Sequence, residues 1–203
     1  MSHSTDRSVE AVIEPALGNP DGVPPWPIIS PPASTPSFLR LWPGLSSDEI
    51  GTIMFIACLY NHIDFQSSTV ETINAFLAGD GFVLPGGLRF SEGHEVKIIP
   101  GCCCGVEDWR EWLEVPHGQN ELWTGHDPAP EVEYIGNTVR IWQHAKADGV
   151  AYLDFERAVL EKHLKRVEAD LKGFLIQLKK WTEDYAPGLG AQMVKYFSEN
   201  MRI

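Results

Sequence analysis

A chain of 203 residues with 43% hydrophobic and 22% charged residues has globular composition and is long enough to bury a core without disulfides or a structural metal. Its 28 acidic against 16 basic residues leave a formal net charge of -12. That balance repels phosphate backbones, so no nucleic acid is expected as a partner, and the composition excludes wholesale disorder and a multi-span membrane protein.

At the N-terminus, Asp6, Glu10 and five prolines up to Pro27 stand where a secretory leader would carry positive charge and an apolar run. The longest apolar stretch, Ile53 to Tyr60, is far shorter than the roughly 20 residues needed to cross a bilayer, so no membrane span is expected. Residues 1–44 hold nine of the fifteen prolines with no visible period. They read as an extended, proline-rich arm ahead of a single domain over 45–203. Trp26, Ile28, Ile29, Phe38, Leu39, Leu41 and Trp42 are too apolar for a solvated tail, so the arm is expected to dock through them.

Ser46 and Glu49 have capping-box spacing ahead of Ile50, Ile53, Met54 and Ala57, which predicts a buried helix over 47–61. Ser67 or Ser68 is placed to cap a second helix over 69–78, closed by Gly79. Three short segments, Phe82 to Leu84, Leu88 to Phe90 and Glu95 to Ile99, read as a strand meander. Val132 to Ile135 and Thr138 to Trp142 flank Gly136-Asn137, the clearest hairpin signal in the chain. The expected fold class is α+β, a small mainly antiparallel sheet packed with helices on one face and followed by a long C-terminal helix.

That helix is read over 152–184. Leu160, Leu164, Val167, Leu171, Phe174, Leu178, Trp181 and Tyr185 repeat with alternating steps of four and three, a heptad stripe, and Glu161 faces Lys165 one turn on. A stripe of this length must be covered, and a homodimer through the 152–184 helix is the expected covering. After Pro187-Gly188 a short helix is expected over 189–200.

Chemistry concentrates in residues 100–137. Pro100-Gly101-Cys102-Cys103-Cys104-Gly105 reads as a tight turn opening a helix, whose buried face would carry Val106, Trp109 and Leu113. A thiol at a helix N-terminus can become a reactive thiolate, although Glu107 and Asp108 oppose that. Zinc is the rival use: Cys102 and Cys104 would project to one side of an extended backbone, with His94, His117, His126 or Asp127 completing a site. Contiguous cysteines lack the paired spacing of a zinc finger, so no metal and no cofactor is assigned on spacing alone. Together with Cys58 they also fail to make a disulfide framework, which points to a reducing cytoplasm. His126-Asp127-Pro128 reads foremost as a turn.

From Gly101 to Asn137 eight acidic residues meet Arg110 alone, a local formal charge of -7, interleaved with Trp109, Trp112 and Trp123. Acidic residues among large rings would suit a basic protein partner. No phosphate loop, nucleophile elbow or metalloprotease helix motif is present.

As a set, Leu84-Pro85-Gly86-Gly87-Leu88, Pro100 to Gly105 with Trp109-Arg110-Glu111-Trp112, and Gly125-His126-Asp127-Pro128 resemble segments of a group of uncharacterised bacterial proteins, over about residues 50–145. The resemblance implies no established activity and carries no functional residue. In size and acidity the chain also resembles bacterial toxin-immunity proteins at the level of analogy. The leading expectation is therefore a cytoplasmic, non-enzymatic binding module. Its candidate surface comprises Cys102, Cys103, Cys104, Trp109, Arg110, Trp112, His126 and Asp127. The alternative is a metal- or thiol-dependent enzyme built on Cys102, Cys104 and His126.

Overall fold

Ser46 opens the first helix as its spacing predicts: its hydroxyl accepts from the Glu49 N–H at 3.3 Å, and the Glu49 carboxylate accepts from the Ser46 N–H at 2.7 Å. In the computed structural model, which describes residues 6–14, 24–29, 38–118 and 122–203, this helix is α1 (Ser47–Tyr60). Ser68 caps α2 (Thr69–Leu77) through the Glu71 N–H. The remaining elements are the strands β1 (Arg7–Ile13), β2 (Leu39–Arg40), β3 (Gly86–Glu92), β4 (Glu95–Ile98), β5 (Glu131–Ile135), β6 (Thr138–Trp142) and β7 (Tyr152–Glu156), a 3-10 segment (Val106–His117), and the helices α3 (Arg157–Tyr185) and α4 (Gly190–Met201). The fold is α+β, with two small antiparallel sheets and a long helix near the C-terminus. Among the described residues no helix is long and apolar enough to cross a membrane.

The chain divides into two compact units, residues 1–12 with 86–169 and residues 13–85 with 170–203. In the first unit β1, β3 and β4 are successive neighbours in one sheet, and β5, β6 and β7 form the other. The hairpin lies where expected, with Ile135 opposite Thr138 and Gly136 at a φ of 59°. Three strands were not expected: β1, the two-residue β2, and β7. β1 falls in the stretch read as a proline-rich arm, ahead of its first proline, where Val9, Ala11, Val12 and Ile13 are buried. β7 occupies residues assigned to the start of the long helix. Tyr152-Leu153-Asp154-Phe155-Glu156 alternates, with Leu153 and Phe155 buried, and Asp154 pairs with Arg140 of β6 through two contacts of 2.7 and 2.8 Å. A period of two outweighs helical continuity there, so the helix begins at Arg157.

The 3-10 segment corrects the expected buried face. Val106, Trp109, Trp112 and Val115 are buried, whereas Leu113 is only partly covered. Three residues per turn, rather than 3.6, bring Trp112 inward in place of Leu113. Trp112 meets Phe90 of β3 at 5.0 Å between ring centroids, and Phe90 meets Phe155 of β7 at 6.1 Å. The first unit's core is thus an aromatic chain.

The second unit is also built on rings. Trp26 docks as expected, edge-on to Trp181 of α3 at 5.5 Å, with its indole N–H donating to the Gly51 carbonyl at 2.8 Å. Leu41 is buried as well, while Trp42 stays exposed. Residues 1–5, 15–23 and 30–37 of the proline-rich stretch lie outside the described residues. Phe82 to Leu84 forms no strand; Phe82 packs on Tyr196 and Phe197 of α4 at 5.7 and 5.0 Å. Along α3, Leu160, Leu164, Val167, Leu171, Phe174, Leu178 and Trp181 are all buried within the single chain. Part of that burial comes from α4, with Phe197 against Phe174 at 6.1 Å.

Two predictions follow from these contacts. Ser46→Ala removes the side-chain cap and is expected to cost about 1 kcal/mol, read as a melting temperature lower by about 2 to 4 °C. His163 of α3 is half-buried beside Phe155, and burial, then the neighbouring charges of Arg166 and Lys162, hold its pKa below the ordinary value. Because the unfolded chain takes up this proton first, the contribution is intact above about pH 6.5 and declines as acidification passes through the unfolded and then the folded pKa. His163→Gln should flatten the urea-unfolding midpoint between about pH 7 and 5; an unchanged pH slope would exclude this assignment.

Candidate metal centre

Two turns of the first unit meet backbone to backbone. The turn of Gly101 to Gly105 lies against the loop of Thr124 to Pro128, and the His126 N–H donates to the Cys102 carbonyl at 3.1 Å. Glycine is required on both sides. A methyl group at Gly101 would overlap the carbonyl oxygens of Pro128 and Thr124; one at Gly125, whose φ is 84°, would overlap the Cys102 carbonyl oxygen. No side chain larger than hydrogen fits between backbones this close. Gly86 and Gly87 add a third side, the Gly86 N–H donating to the Cys104 carbonyl at 3.3 Å. The three segments singled out in the sequence thus converge in space.

Within this frame the Sγ atoms of Cys102 and Cys103 and a ring nitrogen of His126 lie within 4.8 Å of one another. The two sulfurs are 3.8 Å apart. Consecutive side chains on an extended strand point to opposite faces, but Cys103 has a φ of 64°, and that left-handed residue turns its sulfur to the side of Cys102. The rival zinc reading pairs Cys102 with Cys104; the group that lies together is instead Cys102, Cys103 and His126, without Cys104. Cys104 is half-covered, its sulfur facing the backbone of Gly125. Both Cys102 and Cys103 are exposed. The Trp123 indole stands edge-on to the His126 ring at 5.1 Å, and its N–H donates to the Cys103 carbonyl at 3.2 Å, which orients the imidazole from behind.

Two of the three contiguous thiols, Cys103 and Cys104, are shifted away from ready ionisation. Burial pushes the Cys104 thiol up to about 12, with Asp108, the neighbouring cysteines and Glu107 adding to the effect. The Cys103 thiol is also raised, because it donates to the Cys102 sulfur and a second negative charge beside it would be repelled. A catalytic thiolate needs the opposite environment.

The other sequence candidates separate into core and surface. Trp109 and Trp112 are buried and do not offer their rings at a surface, while Arg110 lies over the Trp109 ring at 5.4 Å. Asp127 is exposed in the loop. Among the described residues neither His94 nor His117 joins the sulfur-imidazole group. Trp123, noted among the rings of the acidic run but left out of the candidate surface, is 50% exposed. With Glu131, Val132 and the loop from Thr124 it lines a groove of about 420 Å³. Comparison of the chain with protein-family models, with curated proteins and with solved structures finds no match.

This arrangement predicts a graded thiol count. In the native protein two thiols per chain should react promptly with Ellman's reagent, Cys102 and Cys103, while Cys104 and the fully buried Cys58 react only on unfolding. Gly101→Ala should erase the distinction between Cys104 and its neighbours. Four equally fast thiols in the native wild type would contradict the geometry.

Proposed function

We propose that the protein binds a thiophilic divalent cation, zinc foremost, through Cys102, Cys103 and His126. The observation that carries this reading is the grouping of two sulfurs and one imidazole nitrogen within 4.8 Å. Two thiolates on one tetrahedral zinc, each bonded at about 2.3 Å, stand about 3.8 Å apart. The Cys102 and Cys103 sulfurs have that separation, 3.8 Å. Sulfur with imidazole favours zinc or copper over magnesium or calcium, which prefer oxygen ligands. Three protein ligands on an exposed turn leave the fourth position to water or to an incoming ligand. The surrounding acidic residues, among them Glu107 and Asp108, favour a cation.

Protein purified without chelator should carry one zinc per chain, measured by elemental analysis, and cobalt(II) in its place should show thiolate charge-transfer absorbance. Cys102→Ser, Cys103→Ser and His126→Ala are each expected to weaken zinc by more than about 100-fold, whereas Cys104→Ser should stay within about threefold of wild type. Equal losses for Cys103→Ser and Cys104→Ser would reject the assignment.

A second reading is favoured by Trp123, half-exposed in a groove that Glu131 also lines, with Glu111 accepting from its backbone N–H at 3.3 Å. We propose that this face receives a basic protein, the ring acting as anchor and the carboxylates as the charge complement. Immobilised protein should retain a lysine-rich protein at low salt and release it at high salt, with retention reduced by Trp123→Ala. Absence of retention at low salt removes the reading.

A further inference from the structure

We propose that Cys102 and Cys103 close into a reversible vicinal disulfide, and that this bond and metal binding exclude one another, so that the site holds its cation only while both thiols are reduced. The exclusion rests on the metal-binding reading above; the disulfide rests on geometry alone.

The two sulfurs are each other's neighbours at 3.8 Å, with the Cys103 thiol donating to Cys102. Both side chains are exposed, so an oxidant in solution can reach them. The other thiols are poor competitors: Cys104 is half-covered against the Gly125 backbone, and Cys58 is buried within α1. The left-handed backbone at Cys103, φ 64°, already holds both sulfurs on one side of the turn. Bond formation needs the sulfurs to approach to about 2.05 Å by side-chain rotation. Consecutive Cα atoms across a trans peptide are about 3.8 Å apart, below the roughly 4.4 to 6.8 Å of ordinary disulfides. A bond between them is therefore strained and easily reduced, a property of regulatory rather than structural disulfides.

The oxidant is a small-molecule disulfide. One cysteine, as thiolate, attacks a sulfur of the oxidant, forming a mixed disulfide and expelling one thiolate. The second cysteine loses its proton to solvent and attacks the first cysteine's sulfur, forming the Cys102–Cys103 bond and expelling the second thiolate. Two protein thiols lose two electrons, and one oxidant disulfide becomes two thiols. The bonded sulfurs are no longer anionic donors, and the cation is left with His126 alone among its protein ligands.

The test treats the full zinc-loaded chain with oxidised glutathione and follows intact mass, peptide mapping and zinc release to a chromogenic chelator. The expected result is loss of two hydrogens mapped to Cys102–Cys103, release of zinc in the same proportion, and reversal of both by dithiothreitol, with zinc affinity lower by more than about 100-fold in the oxidised form. Cys104→Ser should behave as wild type, and Cys103→Ser should stop at a glutathione adduct. Stable glutathione adducts on both cysteines of the wild type, or a bond to Cys104, would overturn the disulfide. The mapped disulfide with zinc still bound would overturn the exclusion. The mapped disulfide in a protein that takes up no zinc in either state would refute the metal-binding reading and the exclusion with it, while the disulfide stands.

Discussion

Two turns can approach until one backbone N–H reaches the other's carbonyl only if neither carries a Cβ at the point of closest approach. Gly101 and Gly125 meet that condition from opposite sides, and the His126 N–H to Cys102 carbonyl bond locks the result. The imidazole is placed beside the first cysteine by this backbone contact, before any side-chain interaction is considered. The cluster is thus held by the backbone of the first unit, and its position depends on steric space more than on the chemistry of the thiols.

The left-handed conformation at Cys103 has the next largest consequence. A non-glycine residue at positive φ is uncommon, and here it decides which pair among three chemically identical side chains shares a face. Its effect is to set Cys102 and Cys103 side by side in solvent and to turn Cys104 toward the backbone, where burial raises its thiol to about 12. Proximity of the first two sulfurs disfavours two charges in the absence of a counter-ion, as the raised Cys103 thiol reflects. A cation between them relieves that repulsion, and so does a covalent bond. The proposed metal-bound and disulfide forms would be two answers to one electrostatic problem.

The scaffold beneath is apolar and aromatic. Trp109 and Trp112 belong to it, so of these three rings Trp123 alone is presented, beside Glu111 and Glu131. Rings spaced every three residues along a 3-10 segment align on its inner side, and the intervening carboxylates are left outward. The negative charge of this region is therefore a surface property, while its tryptophans serve chiefly as core.

Legibility in the sequence followed the range of the interactions. Helices α1 and α2, the β5–β6 hairpin and the apolar stripe of α3 are written in caps, turns and periods within a dozen residues, and each lies within one or two residues of its expected place apart from the start of α3. The glycine-containing segments around Gly101 and Gly125 stood out as residue strings, although nothing local showed that they meet. Pairing became visible in three dimensions alone: that β1 joins a sheet, that residues 152–156 extend along β6, and that His126 meets Cys102 with Cys103 rather than Cys104. Each depends on partners far apart in the chain or on a single backbone dihedral. Local patterns set which conformations are favoured, but contact between distant residues is settled by the space that packing leaves them.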